Sequence, residues 1–161
     1  MFLGSGNDDA AVRAAAAGVG VIVSAAPPDP SIASALGRAC KDSPTCQKVI
    51  WTAGASNIPD ADGKPSYLLF GPAGEAFYRA HKPCVDALVA TGSKYVIWCP
   101  GRMARAGRKL PGELVISTRA VEGMDFVSYE DAAAAIVTAA GRTTFDGQHI
   151  TAATKRDGGE L

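Results

Sequence analysis

Three runs, GVGVIVSAA, KVIWTAGAS and KYVIWCPG, are apolar almost without interruption, and a stretch of helical pattern lies between each and the next. A run with no alternating polar residue offers no face to water, so it reads as a strand covered on both sides. Strands separated by helices lie parallel, because a parallel neighbour is reached only through a crossover. The pattern predicts an α/β fold: a doubly wound parallel sheet with helices on both faces.

The remaining segments fit around that sheet. MFL reads as a short strand and DDAAVRAAAA as a short helix. The breaker cluster PPDP precedes a helix over SIASALGRACK, and the loop NIPDADGKPSYLLFGPAG leads to a helix around EAFYRAHKPCVDALVATG. RMARAGRKLPG is a basic loop, ELVISTRAV an edge strand, SYEDAAAAIVTAAG a helix with Ser128 as its N-cap, and FDGQHITAAT the last strand. There is no internal repeat and no linker, so residues 1–161 read as one domain.

Composition narrows the function. Lys and Arg number 16 and so do Asp and Glu, which leaves no net field to draw the chain to nucleic acid. The apolar stretch VGVIVSAA is too short to span a bilayer, and MFLGSGNDD reaches acidic residues too early for a signal peptide. Cys40, Cys46, Cys84 and Cys99 contain no C-x-x-C pair, and only two histidines, His81 and His149, accompany them. No metal site is expected, and the four read as free thiols of a reducing soluble compartment, the cytoplasm or an organelle stroma or matrix.

Gly4-Ser5-Gly6 stands between an apolar run and an alanine-rich helix, which is how a dinucleotide-binding turn begins. The full fingerprint needs a third glycine where Asp9 stands, and Asp8 precedes it. Two carboxylates at a helix start repel a diphosphate from the anion site that such an end otherwise offers. The next strand also ends in alanines, with no acid for a ribose hydroxyl. The sequence therefore reads as a plain turn with Asn7 as N-cap and Asp8 and Asp9 favouring the positive helix end.

Taken in order, four stretches resemble the atypical short-chain dehydrogenase/reductases, closest to the NmrA-like and flavin reductase (biliverdin reductase B) branch. LGSGNDDAAVRAAAAGVGVIVSAA is similar to the family's third strand running into its fourth, and KVIWTAGAS to its fifth. YRAHKPCVDALVATGSKYVIWCPGRM resembles the Y-x-x-x-K helix and the strand after it, and DFVSYEDAAAAIVTAA with FDGQHITAAT the closing helix and strand. The resemblance covers nearly all of residues 3–153. It implies a Rossmann-like, NAD(P)-binding-type sheet without its first two strands, and so without the family's phosphate-gripping glycines. NADP or NAD is the implied cofactor, held weakly by this chain alone. The segment 18–26 would then be an open apolar edge, expected to take MFL beside it or to be covered by another protein subunit. A chain that is a fragment of a longer product is equally consistent with that register.

The resemblance also implies site residues. Tyr78 and Lys82 have the spacing of the pair in which a tyrosine passes a proton and a lysine lowers its pKa, since i and i+4 share a helix face. Pro83 follows at once, so the helix is expected to kink or start there. The serine of the family's fifth strand is missing, with Thr52 and Ser56 the nearest hydroxyls. Ser24 and Ala25 would let an adenosine half pass, Thr52 ends the next strand, and Pro100-Gly101 resembles the turn facing the nicotinamide. Arg102, Arg105, Arg108 and Lys109 form a basic loop suited to a 2′-phosphate, an acidic partner or peripheral contact with lipid headgroups. Trp51 and Trp98 read as core. Two functions remain: an NAD(P)H-dependent reductase of a flavin, quinone or other planar acceptor, and a catalytically degenerate accessory subunit of a larger complex.

Overall fold

The computed structural model describes residues 4–105 and 112–155. Four strands, β1 (Val21–Ser24), β2 (Lys48–Thr52), β3 (Tyr95–Trp98) and β7 (Gln148–Lys155), lie parallel in the order β1-β2-β3-β7. Strand β5 (Glu113–Ser117) closes the far edge antiparallel to β7, so the sheet is mostly rather than wholly parallel. The segments on either side of β5, β4 (Arg102–Ala104) before it and β6 (Phe126–Ser128) after it, pair in parallel as a separate two-stranded ladder, and the chain then passes through a helix over Tyr129–Gly141 before it enters β7. ELVISTRAV is thus an edge strand as its pattern predicts, while part of the basic loop is strand. Arg102 lies in β4 with its guanidinium 5.8 Å from the centre of the Phe126 ring. Arg108 and Lys109 fall outside the described residues, as does MFL.

Alternation within each strand supplies both faces. Val49, Trp51 and Ile97 point to one side and pack with Ala33 and Cys40 of α2 (Pro30–Asp42) and Cys84, Val85 and Leu88 of α3 (Gly71–Ala90). Ile50, Val96, Trp98 and Ile150 point to the other and meet Ala132, Ala135 and Ala139 of α4 (Tyr129–Gly141). Trp51 and Trp98 are both fully buried, on opposite sides of the sheet. Small side chains on α2 and α4 let the helices lie close to the strands.

The fixed ends of the helices explain their positions. Ser128 caps α4 through its hydroxyl, which accepts the Asp131 N–H at 3.0 Å. Its other end is held from the sheet: Lys48, the first residue of β2 and 1% exposed, donates to the Ala139 and Arg142 carbonyls and pairs with Asp146. A buried ammonium is tolerable only with such a complete set of partners, and it sits where the helix C-terminus is negative.

Helix α1 (Asp9–Ala16) lies on α2 through Val12, Ala16, Ala35 and Ala39. Asp9 receives a two-pronged grip from Arg38, with Nε–Oδ2 at 2.9 Å and Nη2–Oδ1 at 2.6 Å, while Arg13 pairs with Asp42. The N-cap is Asp8 rather than Asn7. The Asp8 carboxylate accepts from the Ala10 and Ala11 N–H groups at 2.9 and 3.3 Å, and Asn7 instead accepts from the Ser5 hydroxyl. Both residue types cap helices, and the turn sets which one is in reach.

Helix α3 runs unbroken through Pro83, contrary to the kink or restart expected there. A mid-helix proline removes one backbone bond and crowds the preceding turn. His81, Cys84, Val85 and Leu88 on either side are buried, and that packing holds the helix together.

Candidate functional site

The C-terminal ends of β1, β2 and β3 lie side by side, with Ser24 in register with Trp51 and Thr52 in register with Trp98. Every cofactor residue read from the sequence is on this edge. Ser24 is buried, its hydroxyl accepting the Ala26 N–H at 3.4 Å, and Ala25 is exposed beside it. Thr52 is half-buried. Pro100 is buried and its carbonyl accepts the Ala55 N–H at 2.7 Å, so the turn after β3 is tied to the turn after β2.

Gly101 is pressed against a second segment. A Cβ there would stand 2.2 Å from the Met124 carbonyl oxygen, and the next residue, Arg102, donates its N–H to Asp125 at 2.8 Å. Close approach of two backbones explains the glycine without any appeal to a ligand.

The helix α3 residue that meets the strand ends is Phe77, not Tyr78. A Cβ on Gly54 would lie 2.4 Å from the Phe77 ring, so the ring rests on the bare backbone after β2. His81 stacks on Phe77 with centroids 4.5 Å apart. Its imidazole is buried, its Nδ1 has no hydrogen-bond partner, and burial pushes its pKa below the ordinary histidine value, so it is neutral near pH 7. Beyond them a tight turn over Ser66–Phe70 exposes Leu68 and Leu69.

Tyr78 is half-buried and stacks on Tyr67 with centroids 4.9 Å apart. Lys82 is exposed, and its ammonium lies 2.6 Å from the Asp86 carboxylate one turn further on. That hydrogen bond, more than the neighbouring Tyr78, raises the Lys82 pKa. Both residues therefore share a helix face, as the spacing predicts, with each committed to another partner. In the sequence His81 stands isolated, without a partner that suggests a site, and neither Phe77 nor Gly54 points to one. The only signals were a histidine and an aromatic one turn apart and a glycine closing an apolar strand.

A parallel sheet with small residues at three adjacent strand ends and helices on both faces is the architecture of NAD(P)-binding Rossmann domains. No protein-family model matches the chain, and no curated protein matches it significantly. Solved structures do. A protein from Burkholderia pseudomallei shares 26% identity over 92% of this chain and 78% of its own, with a TM-score of 0.73. A short-chain dehydrogenase/reductase from Veillonella parvula, solved in complex with NADP, is 18% identical over 93% of this chain and 70% of its own, with a TM-score of 0.69. ChuY, an anaerobillin reductase from Escherichia coli O157:H7, is 18% identical over 99% of this chain and 77% of its own, with a TM-score of 0.70. The chain thus has the fold of the short-chain dehydrogenase/reductase type, and the resemblance read from its sequence holds at that level. It is shorter than the chains it matches.

Proposed function

We propose that this chain is a catalytically degenerate member of the NAD(P)-binding fold, acting as an accessory subunit of a larger assembly. The observation that carries the reading is the Asp8 carboxylate on the Ala10 and Ala11 N–H groups. In the register that the resemblance implies, this helix follows the family's third strand, and with the amides at its start taken by its own carboxylate it offers a diphosphate no substitute for the glycine-rich turn. The engagement of Lys82 by Asp86 supports the same reading, because a lysine held there does little to lower a tyrosine pKa.

The partner surface in this reading is the outer edge of β1, which pairs with nothing among the described residues. Val23 is 50% exposed on that strand. Next to it an apolar groove of about 250 Å³ runs between α1 and β1, lined by Val12, Ala16, Val19, Ile22 and Leu36. An unpaired edge beside an apolar groove fits a strand from another protein subunit, with backbone bonds for affinity and side-chain pockets for register.

The alternative is an active NAD(P)H-dependent reductase of a flavin, quinone or similar planar acceptor. It is favoured by the alignment of Ser24, Ala25, Thr52, Pro100 and Gly101 along one sheet edge. Titration of NADPH against the tryptophan fluorescence, followed by assay of NADPH oxidation with flavin and quinone acceptors, separates the two. Degeneracy predicts no saturable quench at millimolar NADPH and no turnover. Saturation at micromolar NADPH with acceptor-dependent oxidation establishes the reductase.

A further inference from the structure

We propose that Cys40 and Cys46 are a reversible dithiol/disulfide pair that staples the end of α2 to the start of β2. All four cysteines are free thiols in the structure, yet these two are brought together, with Sγ atoms 2.7 Å apart. Cys40 lies in the last turn of α2, and Cys46 lies two residues before β2. The turn between them is folded for the approach. Ser43 donates its N–H to the Cys40 carbonyl, and its hydroxyl accepts the N–H groups of Thr45 and Cys46 at 3.4 and 3.2 Å. That folds the chain back and sets Cys46 over the helix end.

The other two thiols lack such a partner. Cys84 and Cys99 are fully buried, and each directs its sulfur to a backbone carbonyl, of Ala80 and Ile97 respectively. Of the close pair, Cys40 is buried and Cys46 half-buried. Access therefore fixes the order of events. A small disulfide such as oxidised glutathione is attacked by the Cys46 thiolate, giving a mixed disulfide on Cys46 and releasing one glutathione thiolate. The Cys40 thiolate then attacks the Cys46 sulfur, closing the protein disulfide and releasing the second. Two protein thiols are oxidised, one glutathione disulfide is reduced, and two glutathione thiols carry away the protons. Burial and the contact with Cys46 raise the Cys40 pKa, so the closing step accelerates as pH rises.

The bond would lie at the N-terminal end of β2, away from the strand ends that form the candidate site. Its effect is on stability: a cross-link already compatible with the folded turn restricts the unfolded chain.

Incubation of the full chain with oxidised glutathione, then alkylation under denaturing conditions and mass analysis, tests the pair. The expected result is loss of two hydrogens, two alkylated thiols in place of four, and tryptic peptides 39–41 and 42–48 joined until a reductant is added. The oxidised form should melt about 5 °C above the reduced one, and Cys46→Ser should abolish both the link and the shift. Four alkylated thiols, a persistent glutathione adduct on Cys46, a link through Cys84 or Cys99, or a disulfide that forms without raising the melting temperature would each overturn the proposal.

Discussion

Lys82 points forward along α3 to Asp86, at 2.6 Å, and the ring of Tyr78 lies instead on Tyr67. A helix face that could carry a tyrosine–lysine dyad has spent its lysine on an exposed ion pair. Such pairs on helix surfaces contribute little. Lys82→Ala should therefore change the unfolding free energy by less than about 0.5 kcal/mol, read by urea titration, and should not alter any NADPH-dependent signal.

Lys48 is a different case, because its charge is buried and fully partnered. Lys48→Met keeps the chain length and leaves Asp146 and the Ala139 and Arg142 carbonyls without their donor. Removal of one partner from a buried pair costs about 3 kcal/mol. A urea midpoint lowered accordingly, with an unchanged slope, is the expected outcome. A variant as stable as the parent would show that α4 does not depend on this cap.

Gly101 and Gly20 make a matched pair of probes. A Cβ on Gly101 collides with the backbone of Met124 and Asp125, whereas one on Gly20 meets nothing within 4 Å. Gly101→Ala should cost about 1–3 kcal/mol, and Gly20→Ala should be neutral or slightly stabilising through the unfolded chain. Thermal melts of the two variants compare them directly.

Stability should also fall with acid. The folded pKa values of His81 and His149 are depressed by burial, so the unfolded chain takes up protons first. Their contribution is complete above the unfolded value near pH 6.5 and is lost as the pH drops below it toward the folded values, at a slope of at most about 1.4 kcal/mol per pH unit for each histidine. Asp9, lowered by its hydrogen bond to Arg38, adds a loss only at more acid pH, below the ordinary carboxylate range. Denaturation at pH 7.5 and 5.5 should show the first loss, and His81→Phe should reduce it.

The sheet was legible because continuous apolar runs can hide only between two layers of helices: β1, β2 and β3 fall within GVGVIVSAA, KVIWTAGAS and KYVIWCPG, and β7 starts within FDGQHITAAT and runs one residue past it. Features decided by a single side chain's reach were not. Asn7 and Asp8 are equal candidates for a cap until the turn places one of them. Pro83 reads as a helix breaker until the packing of its neighbours is known. The antiparallel direction of β5 depends on its pairing with β7, and the meeting of Phe77, His81 and Gly54 depends on how α3 crosses the sheet; neither has a sequence signature. The spacing of Cys40 and Cys46 matches no motif and becomes meaningful only with the fold of the turn at Ser43.

The start of α1 is already occupied by the Asp8 carboxylate, which leaves it no room for a diphosphate. Backbone amide NMR during titration with NADPH, and separately with inorganic pyrophosphate, measures this at the donors themselves. The resonances of Gly4, Gly6, Ala10 and Ala11 are expected to stay in place to millimolar ligand. A saturable shift confined to those amides would contradict it.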